Sequence, residues 1–285
     1  YMAIKTPLLN RELGVLEFNS RVLAQAEDPN TPLLERLRFI CIVSSNMDEF
    51  FEIRMSGLKE QLRNNPKSKS PDGLTITESY ATVAEMAHRL VDRKYALLQN
   101  DILPKLQAQG IRFYLAEQWT PAQRAWAKEF FQNELVPLLT PIALDPAHPF
   151  PKVINKSLNF FVTLEGKDAF GRTAELAVVQ APRSLPRVVS MPKNLSGVSH
   201  GFVLLSSFMQ AFVPELFEGM KVTGCHQFRV TRNSDLFVSE DDITDLRSAL
   251  QGELPTRHLG DAVRLEVSDT MPEKLLERLK KVCDL

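Results

Sequence analysis

Residues 42–54 read IVSSNMDEFFEIR, and the small polar residues in the middle of this stretch could carry out chemistry. An apolar run ends at two serines and Asn46, and an acidic, aromatic and again periodic segment follows. This pattern predicts a break between two helices. Asn46 then suits the N-cap of the second helix, and Glu49 stands where the reciprocal partner of a capping box belongs.

The amide of Asn46 also suggests a functional role. A carboxamide has an acceptor oxygen and a donor NH2 group, which match the paired donor and acceptor on one edge of adenine. Ser44 and Ser45 are small enough to let a flat ring approach, and Phe50 or Phe51 could support the base from behind. Residue spacing alone does not choose between a helix cap and an adenine contact.

Other chemical signatures are weak in this sequence. It contains no GxxxxGK[ST] loop, GxGxxG turn or GxSxG elbow. The cysteines are far apart, which favours reduced thiols, and no two histidines have the i, i+4 spacing of a metal site. His148 lies between prolines in DPAHPFP and suits a structural loop better than a general base. We therefore predict no catalytic residue and no metal ligand in this chain.

Several arginines could contact phosphate groups. Arg229 and Arg232 lie in the strand-like segment FRVTRN, where alternation favours a solvated face or a salt bridge. Arg36, Arg38 and Arg54 fall in helical patterns, and we interpret them first as helix-surface charges and second as phosphate contacts.

Length and composition describe an ordinary globular protein of two domains. The chain has 285 residues, is 44% hydrophobic and 24% charged, and carries a formal net charge of -1. This balance does not favour nucleic acid or an anionic membrane as a partner. The sequence has neither a run of about 18 apolar residues for a membrane span nor a secretory start. The reduced thiols that the separated cysteines favour lead us to expect a cytoplasmic protein.

Residues 1–107 are predicted to form an all-α domain. Asn10 is a plausible cap for its first helix, and RNNPKSKSPDG (63–73) has the composition of a surface loop. A long helix is predicted from Thr77, with Gly110 as its stop signal.

Residues 108–285 are predicted to form a mixed α+β domain, which makes the fold class of the whole chain α+β. A helix with Thr120 as cap opens this domain. The last helix ends at Leu285 without a stop signal, so we expect the chain to be a fragment. The strand predictions cover GIRFYL (110–115), SLNFFVTLE (157–165), TAELAVVQA (173–181), RVVSM (187–191), GCHQFRVTRN (224–233), LFVS (236–239) and AVRLEVS (262–268). Helices are predicted at 204–217, 241–254 and 271–283.

Four segments together resemble the amino-terminal half of the polyphosphate kinase 1 family, that is, its N domain and head domain. They are LNRELGVLEFNSRVLAQAED (9–28), TPLLERLRFICIVSSNMDEFFEIRMSGL (31–58), LTPIALDPAHPFP (139–151) and FRVTRNSDLFVSEDD (228–242). The chain departs from the family at Gly14-Val15, where serine and tryptophan are usual. We expect that position to be core packing.

The resemblance implies an activity and a site. Members of this family reversibly transfer the terminal phosphate of ATP to polyphosphate through a phosphohistidine, with Mg²⁺. The histidines, the Mg²⁺ ligands and most phosphate-binding arginines belong to domains beyond Leu285. The asparagine of the family motif S-x-N-x-D-E-F contacts adenine, and Asn46 occupies that position here.

The resemblance also implies partners and a location. We expect ATP or ADP and inorganic polyphosphate as substrates, the protein's own C-terminal catalytic domains as partners, and a homo-oligomer at full length. The location would be cytoplasmic, with peripheral attachment to the inner membrane as an alternative. The isolated fragment would be inactive. The alternative function is a stand-alone nucleotide-sensing or interaction module without catalysis.

Overall fold

The computed structural model describes residues 8–144, 150–167, 174–234 and 260–285. These residues divide into two units, one containing 8–108 with 233–234 and the other containing 109–232 with 260–285. The predicted strand at 236–239 and the predicted helix at 241–254 lie outside the described residues. The identities proposed for the two domains stay predictions.

The first unit is helical throughout its regular structure. None of the helices in the described part of the chain combines the length and the hydropathy that a bilayer crossing requires. The helices are α1 (Arg11–Glu27), α2 (Leu33–Glu49), α3 (Ser56–Asn64), α4 (Ile76–Leu97) and α5 (Leu103–Ala108), with π-helical segments at Phe50–Met55 and Leu98–Ile102.

Local capping chemistry fixes where these helices begin and end. The side chain of Asn10 accepts a hydrogen bond from the backbone N–H of Leu13 at 3.0 Å, as predicted. Thr75 caps α4 and forms a reciprocal capping box with Glu78. Gly110 has a φ of +79°, which favours glycine and confirms it as the stop signal after α5.

The predicted helix break at residues 44–46 is wrong. Helix α2 runs through this stretch to Glu49, so Asn46 lies inside the helix and caps nothing. Val43 and Met47 are four positions apart and almost fully buried, at 0% and 1% exposure. Burial of this apolar face stabilises the helix by more than the poor helix propensity of serine and asparagine costs.

The second unit contains two sheets, and the α+β fold class is confirmed. The strands are β1 (Ile111–Phe113), β2 (Ile142–Ala143), β3 (Asn159–Gly166), β4 (Leu176–Gln180), β5 (Val188–Ser190), β6 (His200–Leu204), β7 (Met220–Arg232) and β8 (Ala262–Val267). Strands β1, β6 and β5 form one sheet in that order, with β1 and β6 parallel, and β2, β4, β3, β7 and β8 form an antiparallel sheet. Neither β2 nor β6 was predicted from the sequence.

Helices of the second unit cover these sheets. Thr120 caps α6, with Pro121 at the first helical position, as predicted. The α-helices are α6 (Pro121–Phe130), α7 (Lys193–Ser196), α8 (Leu205–Phe212) and α9 (Glu273–Cys283). Shorter segments are the π-helical Phe131–Leu135 and the 3₁₀ turns Ala116–Gln118, Val136–Leu138 and Val213–Leu216.

The five-stranded sheet is buried on both faces. Successive side chains of a strand point to opposite faces, so Phe160 and Val162 join one apolar cluster while Phe161 joins the other. All three are 0% exposed. The sheet is therefore the centre of the second unit.

In the first unit, Arg36 is a buried structural residue and not the surface charge that we predicted. It is only 3% exposed, because its position on α2 faces the other helices. Its Nε donates to the backbone carbonyl of Ala26 at 2.6 Å, and its Nη2 forms an ion pair with Asp101. Arg36 thereby ties the end of α1 to the second π-helical segment.

The ion pair predicts a pH-dependent loss of stability in Asp101→Asn. Hydrogen bonds from Lys105 and then Arg36 lower the pKa of Asp101. Stability gained in this way is present above the unfolded-state pKa of about 4 and is lost as pH falls through the lower folded-state pKa. We expect Asp101→Asn to cost about 1–2 kcal/mol at pH 7, with the difference from wild type shrinking below about pH 4.

Urea unfolding at pH 7, 5 and 3, followed by circular dichroism, measures this difference. Both tryptophans belong to the second unit, so their fluorescence provides an internal control. Glu35→Gln is the matched variant, because Glu35 pairs with Arg38 at 3.7 Å on an exposed helix surface and should contribute less than about 0.5 kcal/mol. A pH-independent cost of Asp101→Asn would contradict the assignment.

Candidate functional site

A cavity of about 320 Å³ lies within the first unit. Its walls come from α1, α2 and the π-helical segment that follows α2. The lining residues are Val15, Phe18, Asn19, Asn46, Glu49, Phe50, Ile53 and Arg54. Apolar and charged side chains therefore meet two amides in one space, and this wall can offer a small molecule both apolar surface and polar contacts.

Three residues from α2 and the π-helical segment after it lie on the same side of the cavity. Asn46, Phe50 and Ile53 are spaced by four and three positions, so they share one helix face. The π-helical winding starts at Phe50 and places Phe50 and Met55, five positions apart, in the core at 2% and 4% exposure. Such π-helical segments are frequent at functional sites.

Asn46 is half-buried, and its amide is held by one neighbour. Its Nδ2 donates to Oδ1 of Asn19 at 2.8 Å. The side chain is neither sealed in the core nor free on the surface, because it lines the cavity. A planar ligand in the cavity could reach the amide.

The other predicted neighbours of Asn46 separate into two groups. Phe50 lines the cavity and Phe51 does not, since Phe51 packs edge-on against Phe50 with ring centroids 5.8 Å apart. Neither Ser44 nor Ser45 lines the cavity, and Ser45 is exposed. The two serines therefore do not give a ring access to this cavity.

The wall that α1 contributes was not predicted from the sequence. Asn19 is 1% exposed and Phe18 is 52% exposed, and both line the cavity. Gly14 and Val15 are not core residues as expected, because Gly14 is exposed and Val15 lines the cavity. An asparagine in register with the buried residues of α1 was the available signal.

The arginines of β7 are engaged in the structure of the second unit. Arg229 pairs with Glu266, its cross-strand partner on β8, at 2.6 Å. Arg232 is 9% exposed and donates to the backbone carbonyls of Val153 and Gly260. The salt-bridge interpretation therefore describes Arg229 better than a phosphate contact, and Arg54 remains the arginine at the cavity.

Nucleophilic and metal chemistry find little support in the described residues. Within those ranges, no group of three or more His, Cys, Asp or Glu side chains could hold a metal ion. Burial raises the pKa of Cys225 to about 12 and also raises the pKa of Cys283. His148 lies outside the described residues.

Two protein-family models match this chain. The model described as polyphosphate kinase N-terminal domain matches residues 8–114, and the model described as polyphosphate kinase middle domain matches residues 122–285. The chain is 63% identical over 278 residues to polyphosphate kinases of Burkholderia multivorans and Paraburkholderia phytofirmans. Each match covers 98% of this chain and 40% of the relative. The chain thus spans less than half the length of these relatives.

A solved structure shares the fold. The crystal structure of polyphosphate kinase from Porphyromonas gingivalis matches with a TM-score of 0.77 over 98% of this chain and 38% of that chain. The sequence identity is 23%, so this match concerns the fold alone.

The three cysteines differ in burial, and this difference predicts one fast-reacting thiol. Cys41 is exposed, whereas Cys225 and Cys283 are at least partly buried and have raised pKa values. Because the thiolate is the reactive form, a disulfide reagent at pH 8 should modify one thiol rapidly in the native protein and all three in urea. Cys41→Ser should remove the rapid phase. Two rapid thiols in the wild-type protein would contradict this prediction.

Proposed function

The chain belongs to the polyphosphate kinase family, and we propose that it forms the adenine-binding part of an enzyme that reversibly transfers the terminal phosphate of ATP to polyphosphate. The observation that carries the proposal is the half-buried amide of Asn46 in the wall of the cavity. A volume of about 320 Å³ lies within the range of about 300–1,000 Å³ of small-molecule pockets.

The composition of the wall supports a nucleotide as the ligand. The Asn46 amide can pair with the adenine edge, and the exposed ring of Phe18 offers an apolar surface to a flat base. The carboxylate of Glu49 suits ribose hydroxyls, which are hydrogen-bond donors. The guanidinium of Arg54 suits a phosphate oxygen.

The rest of the reaction is assigned to other parts of the enzyme. Phosphoryl transfer requires a nucleophile in line with the phosphate and cations that stabilise the developing charge. Mg²⁺ would supply part of that charge, but the described residues do not suit a metal site, so we derive no step through it. We propose that the phosphorylated histidine and the Mg²⁺ ligands lie in the part of the enzyme that this chain does not include.

The two units receive different roles in this proposal. The first unit, which contains the cavity, would be the N domain, and the second would be the head domain, which contributes subunit contacts in a homo-oligomer. We also propose a cytoplasmic location, which the three unpaired cysteines support. A stand-alone nucleotide-sensing module is the competing function.

Replacing Asn46 by Ala in the full-length enzyme should weaken nucleotide binding. A paired amide contact with a base contributes about 1–3 kcal/mol, so we expect KM for ATP to rise about 10- to 100-fold with a modest change in kcat. Steady-state kinetics at saturating polyphosphate measures both constants. Ser45→Ala is the matched control, because Ser45 is adjacent and exposed but does not line the cavity. An unchanged KM in Asn46→Ala would refute the adenine-binding role.

The purified 285-residue chain should not transfer phosphate from ATP. The reason is that the groups proposed for phosphoryl transfer lie outside it. Incorporation of label from [γ-³²P]ATP into acid-insoluble polyphosphate tests this, with the full-length enzyme as the positive control. Measurable incorporation by the chain alone would show that it contains catalytic groups that this proposal places elsewhere.

A further inference from the structure

Asn19 is a buried polar residue in the middle of a helix. Asparagine is a poor helix former, and α1 places Asn19 among Leu16, Leu23 and Ala26 on its buried face. At 1% exposure its amide has no access to bulk water, so it needs partners within the protein. Its two hydrogen-bond partners, Val15 and Asn46, both line the cavity.

The backbone carbonyl of Val15 determines the direction of both hydrogen bonds that the Asn19 amide makes. Nδ2 of Asn19 donates to the backbone carbonyl of Val15 at 3.0 Å. A carbonyl oxygen can only accept, so this contact identifies which end of the Asn19 amide is the nitrogen. Oδ1 of Asn19 therefore faces Asn46 and accepts from its Nδ2 at 2.8 Å.

This arrangement determines what Asn46 can offer a ligand. One hydrogen of Nδ2 is committed to Asn19, so Nδ2 has one left to donate. Among the described residues, none donates to Oδ1 of Asn46, which leaves this oxygen as an acceptor for a ligand. Rotating the amide by 180° would place two oxygens face to face and lose the hydrogen bond with Asn19.

Adenine and guanine present opposite hydrogen-bonding groups at position 6. Adenine carries an amino group there, which donates, and guanine carries a carbonyl oxygen, which accepts. An amide oxygen held against position 6 accepts from adenine and repels the carbonyl oxygen of guanine. An amide free to rotate could instead offer its NH2 group to guanine.

We propose that Asn19 is a positioning residue that fixes the orientation of the Asn46 amide and thereby makes the cavity select adenine over guanine nucleotides. The inference rests on the proposed adenine-binding role of Asn46. It adds a source of specificity that Asn46 alone does not provide, since an isolated amide presents either end.

The test is the ratio of kcat/KM for ATP to that for GTP in the full-length enzyme. Asn19→Leu preserves the side-chain size and removes both hydrogen bonds, so the ratio should fall about tenfold or more, toward that of Asn46→Ala. The double variant Asn19→Leu/Asn46→Ala should show little further loss, because both changes remove the same interaction. Independent, additive losses would overturn the inference.

Two further variants separate orientation from stability. Asn19→Asp keeps an oxygen acceptor for Asn46, and at this buried position its carboxyl should be neutral, so that its O–H can donate to the Val15 carbonyl. This variant should retain most of the selectivity. Leu23→Ala removes a fully buried side chain from the same helix without touching the cavity. It should lower Tm but leave the ratio unchanged. If Leu23→Ala lowers both Tm and the ATP/GTP ratio of kcat/KM, as Asn19→Leu is expected to lower the ratio, then Asn19 has only a structural role.

The wild-type enzyme gives an answer even if Asn19→Leu does not fold. Purine riboside triphosphate lacks the 6-amino group and should have a kcat/KM about tenfold or more below that of ATP, and GTP should be lower still. Equal use of ATP and GTP would overturn the inference. If Asn46→Ala raises KM but Asn19→Leu leaves the ratio unchanged, the positioning role fails while the proposed function stands. An unchanged KM in Asn46→Ala would refute both.

Discussion

The hydrogen bond between the amides of Asn19 on α1 and Asn46 on α2 joins the packing of the first unit to its cavity. One amide is almost fully buried and the other half-buried, so the pair leads from the core to the ligand space. The buried end is anchored on the carbonyl of Val15, which cannot donate. The polarity of the accessible end thus follows from the helix backbone, and a ligand in the cavity would meet an amide whose orientation is already defined.

Local chemistry explains which parts of the fold could be predicted. The caps at Asn10 and Thr120 involve residues within one turn, so sequence alone identifies them. The same rules mispredicted a cap at Asn46, because burial of Val43 and Met47 keeps the helix continuous there. Strand β6 was missed although it also pairs antiparallel with the nearby β5: its parallel pairing with β1, far earlier in the chain, leaves no short-range pattern.

The candidate site was predictable only in part. The chemistry of an amide, together with the family resemblance, indicated Asn46, whereas its partner depends on how α1 packs against α2. Asn19 continues the buried stripe of Leu16 and Leu23, and a polar residue in an apolar stripe was the signal in the sequence. Arg36 is a similar case, since its buried ion pair joins segments that are distant in sequence and no local pattern predicts it.

The energetics favour orientation over stability as the contribution of Asn19. A typical hydrogen bond adds a net of about 1 kcal/mol, while a buried polar group without a partner costs about 1–3 kcal/mol. An apolar side chain of similar size would need no partners and would gain from burial, so the amide adds little to the stability of α1. In the proposed binding role its effect would fall on Asn46, because a side chain already held in one rotamer loses less conformational entropy when a ligand binds. Preorganisation of this kind would strengthen binding and exclude the reversed amide, and the same contact would then set both affinity and the choice of base.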